Sequence, residues 1–266
     1  MLVTLKDILQ GALAGGYAVA APSVSTSVEV DAAVSAAEEM GAPIILDVHF
    51  EHDGKTSVSR PVELAHWMRS RGEHAAVPVA INMDIGGSFA GAVRSVRAGA
   101  TSLALRNMPI YSEAVELTRK MSELAHAAGI SSEGMVPCAP GLGYTDPQDA
   151  VRFVSETGVD CVAVSFSATG ENGGMYLDLA HLAKIRRALG PCPLTLHGSL
   201  GADDEQLREA CRSGINKVDI AKDLRKAAMQ AVVAWDGAPD PISVAARGYA
   251  ERLKAYILIC GVRSLA

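Results

Sequence analysis

The sequence has little positive charge for its length. Its 24 Lys and Arg residues are outnumbered by 30 Asp and Glu residues, which leaves a formal net charge of -6. The basic residues also form no cluster along the chain. Because a surface that binds nucleic acid needs clustered positive charge to neutralise phosphates, we exclude a nucleic-acid partner and expect a small-molecule ligand.

Long apolar runs are missing as well. No segment approaches the roughly 20 apolar residues that a membrane-spanning helix needs, so we predict no membrane partner. The first ten residues contain Lys6 and Asp7 and lack the apolar core and the small-residue cleavage site of a signal peptide. We therefore expect a cytoplasmic protein.

Cysteine is scarce, and its pattern points to no disulfide framework. The sequence contains five cysteines, which is an odd number, and their spacing matches no metal site. This argues against a disulfide-stabilised secreted fold and agrees with reduced thiols in a cytoplasm.

What the sequence does contain is a regular alternation of short apolar runs with amphipathic segments. A chain of 266 residues that is 49% hydrophobic can bury a large core, and we predict a single domain over residues 1–266. The alternation is typical of a parallel sheet built from βαβ units. The predicted strands are Tyr17–Val24, Pro43–His49, Val77–Asp84, Ser102–Arg106, Ile130–Met135, Cys161–Ser165, Pro193–His197 and Lys217–Ile220. The predicted helices are Val28–Met40, Pro61–Ser70, Phe89–Ala98, Ser112–Ala128, Pro147–Thr157, Leu177–Leu189, Asp203–Ser213 and Leu224–Trp235.

Eight such units predict a (β/α)8 TIM barrel of the α/β class. Two further helices lie outside the repeat. We expect Leu5–Ala14 to close the floor of the barrel, and the amphipathic segment Ile242–Cys260 to pack subunits into a homo-oligomer. The segments Phe50–Arg60 and Pro137–Asp146 interrupt the pattern on the strand-to-helix side, where barrel enzymes build their active sites, so we expect them to be active-site loops.

Several segments together resemble the class II fructose- and tagatose-bisphosphate (ketose-bisphosphate) aldolases over essentially the whole chain. They are Gly16-Tyr-Ala-Val-Ala-Ala21, Ala42-Pro-Ile-Ile-Leu46, Asp84-Ile-Gly-Gly-Ser-Phe89, Ala98-Gly-Ala-Thr-Ser102, His126-Ala-Ala-Gly129, Thr145-Asp-Pro147, Leu196-His-Gly198, Asn216-Lys-Val-Asp-Ile220 and Asp223-Leu-Arg225. No single motif is decisive, but their order and spacing are specific. The resemblance implies an aldolase activity on a barrel fold.

The resemblance also implies a proton-transfer residue. In the family an aspartate at the end of the third strand exchanges a proton with the cleaved hydroxyl, and Asp84 stands at that position. Such general acid-base work needs a carboxyl group aimed at the substrate oxygen. We therefore predict that Asp84 is catalytic, although an aspartate before two glycines also suits the cap of the following helix.

The family's metal site is incomplete in this sequence. The resemblance implies a metal held by three histidines, which follow the third-strand aspartate, follow the sixth strand and end the seventh strand. Ile85 occupies the first position, the sixth-strand region reads Ser167-Ala-Thr-Gly-Glu-Asn-Gly-Gly174, and His197 alone remains. Zinc needs about three protein ligands, so we predict a divergent member of the family with no cofactor. The alternative is one divalent metal such as zinc at a rebuilt site, with ligands drawn from His49, Asp84, Glu133, Glu171 and His197.

The phosphate-binding segments of the family are altered too. Its turn after the seventh strand corresponds to His197-Gly-Ser-Leu-Gly201, so we predict substrate contacts from Gly198, Ser199 and Gly201. The end of its eighth strand corresponds to Asp219-Ile-Ala-Lys-Asp223, which makes Asp219 a candidate substrate ligand and puts Lys222 in place of a hydroxyl donor.

Arg106 is a second cation that the family pattern does not contain, because an acidic residue is usual at the end of the fourth strand. Arg106 and Lys222 are predicted to hold a carboxylate or a phosphate together. Alternatively, Arg106 pairs with a neighbouring acid and Lys222 extends into solvent from a helix start.

Lys222 also permits a metal-free route. A lysine with a lowered pKa forms a Schiff base with a carbonyl carbon and then serves as an electron sink. The adjacent Asp223 would oppose that lowering if the two side chains lie close together. Smaller changes re-line the rest of the barrel mouth, where Ser23, His49 and the inward acid Glu133 are predicted to contact substrate.

Together these features predict an aldol-type carbon-carbon lyase or synthase that acts on a small anionic carbonyl substrate, phosphorylated or carboxylated, without the family's zinc. Asp84 would move the proton, His197 would bind or polarise the carbonyl, and Lys222 would hold the anion or the carbonyl carbon. Two alternatives stay open. One is a non-catalytic homologue that binds a metabolite or a partner subunit, and the other is a metal-dependent aldolase with rebuilt ligands.

Overall fold

The alternation of strands and helices predicted from the sequence is present throughout the computed structural model, which describes residues 1–49, 61–138, 144–169, 175–197 and 202–262. The strands are β1 Val19–Pro22, β2 Ile44–His49, β3 Val79–Asp84, β4 Ser102–Leu105, β5 Ser131–Met135, β6 Cys161–Val164, β7 Ser167–Thr169, β8 Met175–Leu177, β9 Leu194–Leu196 and β10 Lys217–Ile220. The helices are α1 Leu5–Gly15, α2 Ser27–Met40, α3 Pro61–Glu73, α4 Phe89–Ala98, α5 Tyr111–Ala127, α6 Pro147–Thr157, α7 Leu179–Leu189, α8 Asp204–Arg212, α9 Lys222–Val233 and α10 Pro241–Ile259.

Eight of the strands form one parallel sheet that curls into a nearly closed barrel. The strand order is β1-β10-β9-β6-β5-β4-β3-β2. The two edge strands meet through a parallel bridge between Ser23 and Asp47, where the Val24 N–H donates to the Asp47 carbonyl oxygen at 2.9 Å. The predicted (β/α)8 fold is therefore confirmed.

The remaining pair, β7 and β8, forms a two-stranded antiparallel ribbon that the sequence reading did not predict. Ser167 pairs with Leu177 in this ribbon. The ribbon follows β6 directly and lies between β6 and α7 in the chain. It thus occupies the strand-to-helix side of the barrel, where the predicted sixth unit had only a connecting segment.

Helix α1 closes the floor of the barrel, as predicted. Thr4 caps its start in a reciprocal pair with Asp7. The buried side chains of Leu5 and Leu9 pack in one cluster with Val19 from β1. The N-terminal end of the barrel is therefore filled with apolar side chains, and polar interior positions are left to the opposite end.

Alternation along β10 explains how charge enters the barrel. All four residues of this strand are buried. Because side chains alternate between the two faces of a strand, Lys217 and Asp219 share one face while Val218 and Ile220 share the other. The two apolar residues belong to the core between strands and helices, so the two charged residues point into the barrel.

Helix α10 packs mainly on α9 and α2 and buries Tyr249, Leu253 and Tyr256. The Tyr249 hydroxyl donates to the Ser23 carbonyl oxygen at 3.2 Å, which ties the helix to the end of β1. None of the helices in the described ranges has the length and apolar composition of a membrane span.

Candidate active site

Two histidine-aspartate pairs stand at the carboxyl end of the barrel. His49 and Asp84 are register partners at the ends of the neighbouring strands β2 and β3, and His49 Nδ1 lies 3.2 Å from Asp84 Oδ2. His197 follows β9, and its Nδ1 lies 2.8 Å from Oδ2 of Asp219 on β10. Adjacent parallel strands thus build each pair, since their carboxyl ends lie side by side.

One cavity of about 200 Å³ brings both histidines together. Its lining residues come from the ends of β1, β2, β9 and β10 and from the start of α9, with one tyrosine from α10. They are Ser23, Asp47, His49, His197, Asp219, Ile220, Ala221, Lys222, Asp223 and Tyr256. A small molecule in this cavity would contact two imidazole groups.

Asp84 is held as a buried carboxylate next to His49. Burial alone would raise the pKa of Asp84, but the hydrogen bond with His49 and the positive charge of Arg106 outweigh burial and lower that pKa below its usual value. Its second oxygen, Oδ1, accepts from the Gly86 N–H at 3.1 Å. The alternative role as a helix cap is wrong, because Ser88 caps α4 by accepting from the Gly91 N–H.

The pKa of His49 is shifted in the opposite direction. The hydrogen bond with Asp84 raises the pKa of His49, although burial opposes the shift, and the nearby Asp47 carboxylate adds to the rise. Its side chain is 32% exposed, whereas that of Asp84 is 5% exposed. The imidazole is therefore the member of this pair that faces the cavity.

Asp219 is the anchor of the second pair. Burial would raise its pKa, but the charges of Lys217 and Arg106 and the hydrogen bond with His197 hold that pKa far below its usual range. Because Asp219 is a carboxylate hydrogen-bonded to Nδ1 of His197, Nε2 is the ring nitrogen left for a ligand.

Arg106 is fully buried among carboxylates. Its guanidinium makes a two-point contact with Asp47, from Nη1 to Oδ2 at 2.9 Å and from Nη2 to Oδ1 at 3.2 Å. Nη2 also lies 3.4 Å from both carboxylate oxygens of Glu133. Arg106 does not line the cavity, so the structure does not bring it together with Lys222 as the predicted two-cation clamp.

Glu133 likewise lies behind the cavity rather than on its wall. Its side chain has no exposed surface, and it accepts from Asn82 Nδ2 at 2.8 Å and from Lys217 Nζ at 2.9 Å. The prediction placed Arg106 and Glu133 in contact with substrate, whereas both side chains here contact protein charges.

Lys217 is the site residue that the sequence reading missed. Its ammonium group is completely buried and lies 2.9 Å from Glu133 Oε2 and 2.5 Å from Asp219 Oδ1. Burial would lower the pKa of Lys217, but the charges of Asp219 and Glu133 raise it above its ordinary value. The signal that could have found it is the spacing of Lys217 and Asp219, which are two residues apart in a strand and so share its inner face.

The other predicted site residues divide into two groups. Ser23, His49, His197, Asp219 and Lys222 line the cavity, with the exposed Lys222 at the first position of α9. Gly198, Ser199 and Gly201 lie outside the described residues, as do Glu171 and most of the two predicted active-site loops.

The described residues do not fit the metal site that the family resemblance implies. Ile85 occupies the first ligand position and is buried in the hydrophobic core, where no donor atom is available. Within the described ranges, no three His, Cys, Asp or Glu side chains are grouped so that they could hold a metal ion. His197 remains, with its Nδ1 hydrogen-bonded to Asp219, and by itself it supplies one of the three ligands.

Comparisons with known proteins agree with this architecture. The family model described as "Fructose-bisphosphate aldolase class-II" matches residues 3–262. A fructose-bisphosphate aldolase of Geobacillus stearothermophilus is 34% identical over 239 residues, which cover 82% of this chain and 80% of the relative. A fructose-bisphosphate aldolase of Thermus caldophilus is 30% identical over 267 residues, 85% of each chain.

Solved structures give the same result. The YdjI aldolase of Escherichia coli K12 superposes with a TM-score of 0.87 at 28% identity and covers 98% of both chains. A fructose-bisphosphate aldolase of Campylobacter jejuni superposes with a TM-score of 0.81 at 16% identity over 100% of this chain and 97% of its own, which supports the fold alone.

Proposed function

The chain belongs to the class II fructose-bisphosphate aldolase family and is an aldolase lyase, and from this premise we propose that it cleaves or forms a carbon-carbon bond in a small anionic carbonyl compound through its two histidine-aspartate pairs. The observation that carries this proposal is the shared cavity, whose wall contains both His49 and His197. An aldol reaction needs one group that moves the hydroxyl proton and another that stabilises charge on the carbonyl oxygen, and two separate pairs supply both.

Proton transfer falls to Asp84 acting together with His49. Asp84 retains the acid-base role that its position in the family implies, and the cavity-facing imidazole of His49 extends its reach to the substrate. When a carbon-carbon bond is cleaved, this pair accepts the proton of the hydroxyl that becomes the aldehyde. In the synthesis direction the pair returns that proton.

Carbonyl polarisation falls to His197. Asp219 fixes the orientation of the imidazole by accepting from Nδ1, and Nε2 donates to the carbonyl oxygen of the substrate when the ring is protonated at both nitrogens. A hydrogen bond at that oxygen stabilises the enolate that forms when the bond breaks. Asp219 thus contributes by orienting His197 as well as by lining the cavity.

Lys222 and Ser23 bind the anionic end of the substrate. Lys222 is a flexible point charge on the cavity wall, and Ser23 lies on the same wall at the end of β1. A substrate with one phosphate or carboxylate group suits this arrangement better than a ketose bisphosphate, because the family's phosphate-binding segments are altered in the sequence.

We propose that the reaction proceeds without the three-histidine zinc site of the family. The support is chemical, since Ile85 has no donor atom and the described residues contain no group of three His, Cys, Asp or Glu side chains that could hold a metal ion. A metal enzyme with rebuilt ligands is the alternative, and elemental analysis of the purified protein after reconstitution with zinc decides between them. One bound divalent ion per chain would favour the alternative.

A Schiff base at Lys222 is a second candidate route. It is motivated by the position of Lys222 on the same cavity wall as His49 and His197. Borohydride reduction in the presence of a carbonyl substrate, followed by peptide mass analysis, would show a stable adduct on Lys222. No adduct on Lys222 while turnover continues would leave Lys222 as an anion-binding residue only.

The test of the proposed function is a panel of phosphorylated and carboxylated hydroxy-ketones, with release of the aldehyde product as the readout. We expect the wild type to cleave at least one member that has a single phosphate or carboxylate group, and the cleavage rate to fall roughly 100-fold or more in Asp84→Asn. Lys222→Met should raise KM for that member, whereas Lys226→Met, an exposed lysine of the same helix, should not. An absence of cleavage and synthesis across the panel would favour the non-catalytic homologue.

A further inference from the structure

The guanidinium group of Arg106 lies between the two histidine-aspartate pairs. Nη1 is 4.0 Å from Asp84 Oδ2, and Nη2 is 3.7 Å from Asp219 Oδ2. Asp47 holds the guanidinium in this orientation by a two-point contact with the same two nitrogens. Each end of the planar group therefore approaches the carboxylate of a different pair.

The surrounding charge makes this position consequential. Four carboxylates, those of Asp47, Asp84, Glu133 and Asp219, are at most 6% exposed. Buried carboxylates are costly unless they are paired. Lys217 pairs with Glu133 and Asp219, whereas Arg106 lies within 4.0 Å of all four.

We propose that Arg106 is a positioning residue that links the two histidine-aspartate pairs, and that it serves as a fixed cation of the site rather than as a ligand for the substrate. This inference rests on the proposed function, because the two pairs are the groups that would carry out the aldol step. In this role Arg106 acts through Asp84 and Asp219, and neither carboxylate has to move.

The geometry of the guanidinium suits this role better than that of an ammonium group. The charge of a guanidinium is spread over a rigid plane, so its two ends can lie near two carboxylates at once, whereas a lysine ammonium is a single point charge. The lowered pKa values of Asp84 and Asp219 agree with this role, since the charge of Arg106 contributes to the lowering of each. With both aspartates kept as carboxylates, each histidine is held through Nδ1.

The first test measures the histidines directly and needs no substrate. Imidazole ¹⁵N resonances are recorded at one fixed pH for the wild type, for Arg106→Lys and for the double variant Arg106→Gln with Glu133→Gln, which removes one cation and one anion together. His49→Gln and His197→Gln assign the signals. Arg152→Lys, a surface arginine paired with Glu156, is the matched control.

We expect the resonances of both His49 and His197 to shift in both Arg106 variants and to stay in place in the control. A shift of only one histidine, or of neither, would overturn the proposed link. The conservative lysine variant and the charge-balanced double variant are two independent routes to a folded protein, so the measurement does not depend on either one alone.

The second test separates positioning from substrate binding. In Arg106→Lys, kcat should fall by roughly 100-fold with KM little changed, because misplacement of catalytic groups affects the chemical step. A rise in KM with kcat intact would overturn the inference in favour of a direct substrate contact. If no substrate is turned over by the wild type, the proposed aldol function fails, while the resonance shifts still decide whether Arg106 couples the two pairs.

Discussion

The charge on His49 depends on Asp84, and this dependence has a measurable consequence for stability. The pKa of His49 is raised in the folded protein, mainly by the hydrogen bond with Asp84. A histidine whose pKa is raised by folding stabilises the folded state. The contribution is complete at pH values below the pKa of the unfolded chain, about 6.5, and it is lost as the pH rises through the higher pKa of the folded protein.

We therefore predict that the stability difference between the wild type and His49→Gln is largest below about pH 6.5 and narrows as the pH rises. Urea unfolding at a series of pH values measures this difference. His66→Gln on the exposed face of α3 is the control and should give a difference that does not change with pH. A gap for His49→Gln that widens with rising pH would show that the imidazole is not charged in this pair.

Lys217 gives a second prediction of this kind. Replacing Lys217 by Met leaves Glu133 and Asp219 buried without their ammonium partner, and breaking a buried ion pair costs about 3 to 5 kcal/mol. The added change Glu133→Gln should restore part of that loss, because it removes one of the orphaned charges. Chemical denaturation measures both variants beside Lys184→Met, an exposed lysine on α7. A stability of Lys217→Met within about 0.5 kcal/mol of the wild type would contradict the buried charge cluster.

The sequence indicated which residues stand at strand ends, but not which of them share a hydrogen bond. His49, His197 and Asp219 could be placed at the barrel mouth because strand ends in this fold meet there. The sequence alone did not show whether the Arg106 side chain contacts substrate or other protein charges. The answer depends on the carboxylates that surround it in the barrel, and these come from four strands that are far apart in sequence. Lys217 was missed because strand periodicity was applied to apolar residues and not to charged ones.

The turn between β3 and α4 controls how Asp84 is presented. Gly91, in the first turn of α4, lies so close to this turn that an added Cβ atom would be 2.4 Å from the carbonyl oxygen of Ile85, which follows Asp84. The helix can approach the end of β3 only because residue 91 has no side chain.

We predict that Gly91→Ala lowers the unfolding free energy by about 1 to 3 kcal/mol, as overpacking of a tight contact does, and also lowers turnover. Gly11→Ala is the matched control inside α1, where the added Cβ would be 3.5 Å from the Tyr17 hydroxyl oxygen. Alanine is favoured over glycine in a helix by about 1 kcal/mol, so this control should be neutral or stabilising. Thermal and urea unfolding of both variants measure the effect, and equal behaviour of the two would refute the close packing at Ile85.

Most helices and strands of the barrel could be predicted because their apolar spacing is regular. The eight barrel strands and the helix that closes the floor all lie where the pattern indicated, with bounds that differ by a few residues. The ribbon of β7 and β8 was not predicted, since each of its strands has three residues. Such a segment is too short for alternation to be visible, and its pairing depends on contacts that only the folded barrel supplies.

The surface of the whole molecule carries apolar side chains that a monomer leaves uncovered. Helices α9 and α10 expose Met229 at 64%, Val233 at 83% and Ile242 at 63%. Because large exposed apolar groups on neighbouring elements are typical of protein-protein contacts, homo-oligomer formation through the C-terminal helix stays our prediction, and we extend the contact to α9.

We expect sedimentation analysis to give a mass that is a multiple of the 27.7 kDa chain. Val233→Lys should weaken the association, since it places a charge in the apolar contact. Val62→Lys introduces the same charge at an exposed position of α3 and should leave the mass unchanged. A monomeric wild type, or equal masses for both variants, would place the contact elsewhere or exclude it.

At the carboxyl end of the barrel, the molecule combines an aldolase fold with a site in which protein charges surround two histidine-aspartate pairs. Cleavage of the best substrate by the wild type and by Asp84→Asn, each measured with and without a strong metal chelator, tests the role of these pairs most directly. We predict that the wild type keeps its rate in the chelator and that Asp84→Asn loses roughly 100-fold or more in both conditions. Loss of wild-type turnover in the chelator with recovery on zinc addition, or an unchanged rate in Asp84→Asn, would contradict the metal-free role of the two histidine-aspartate pairs.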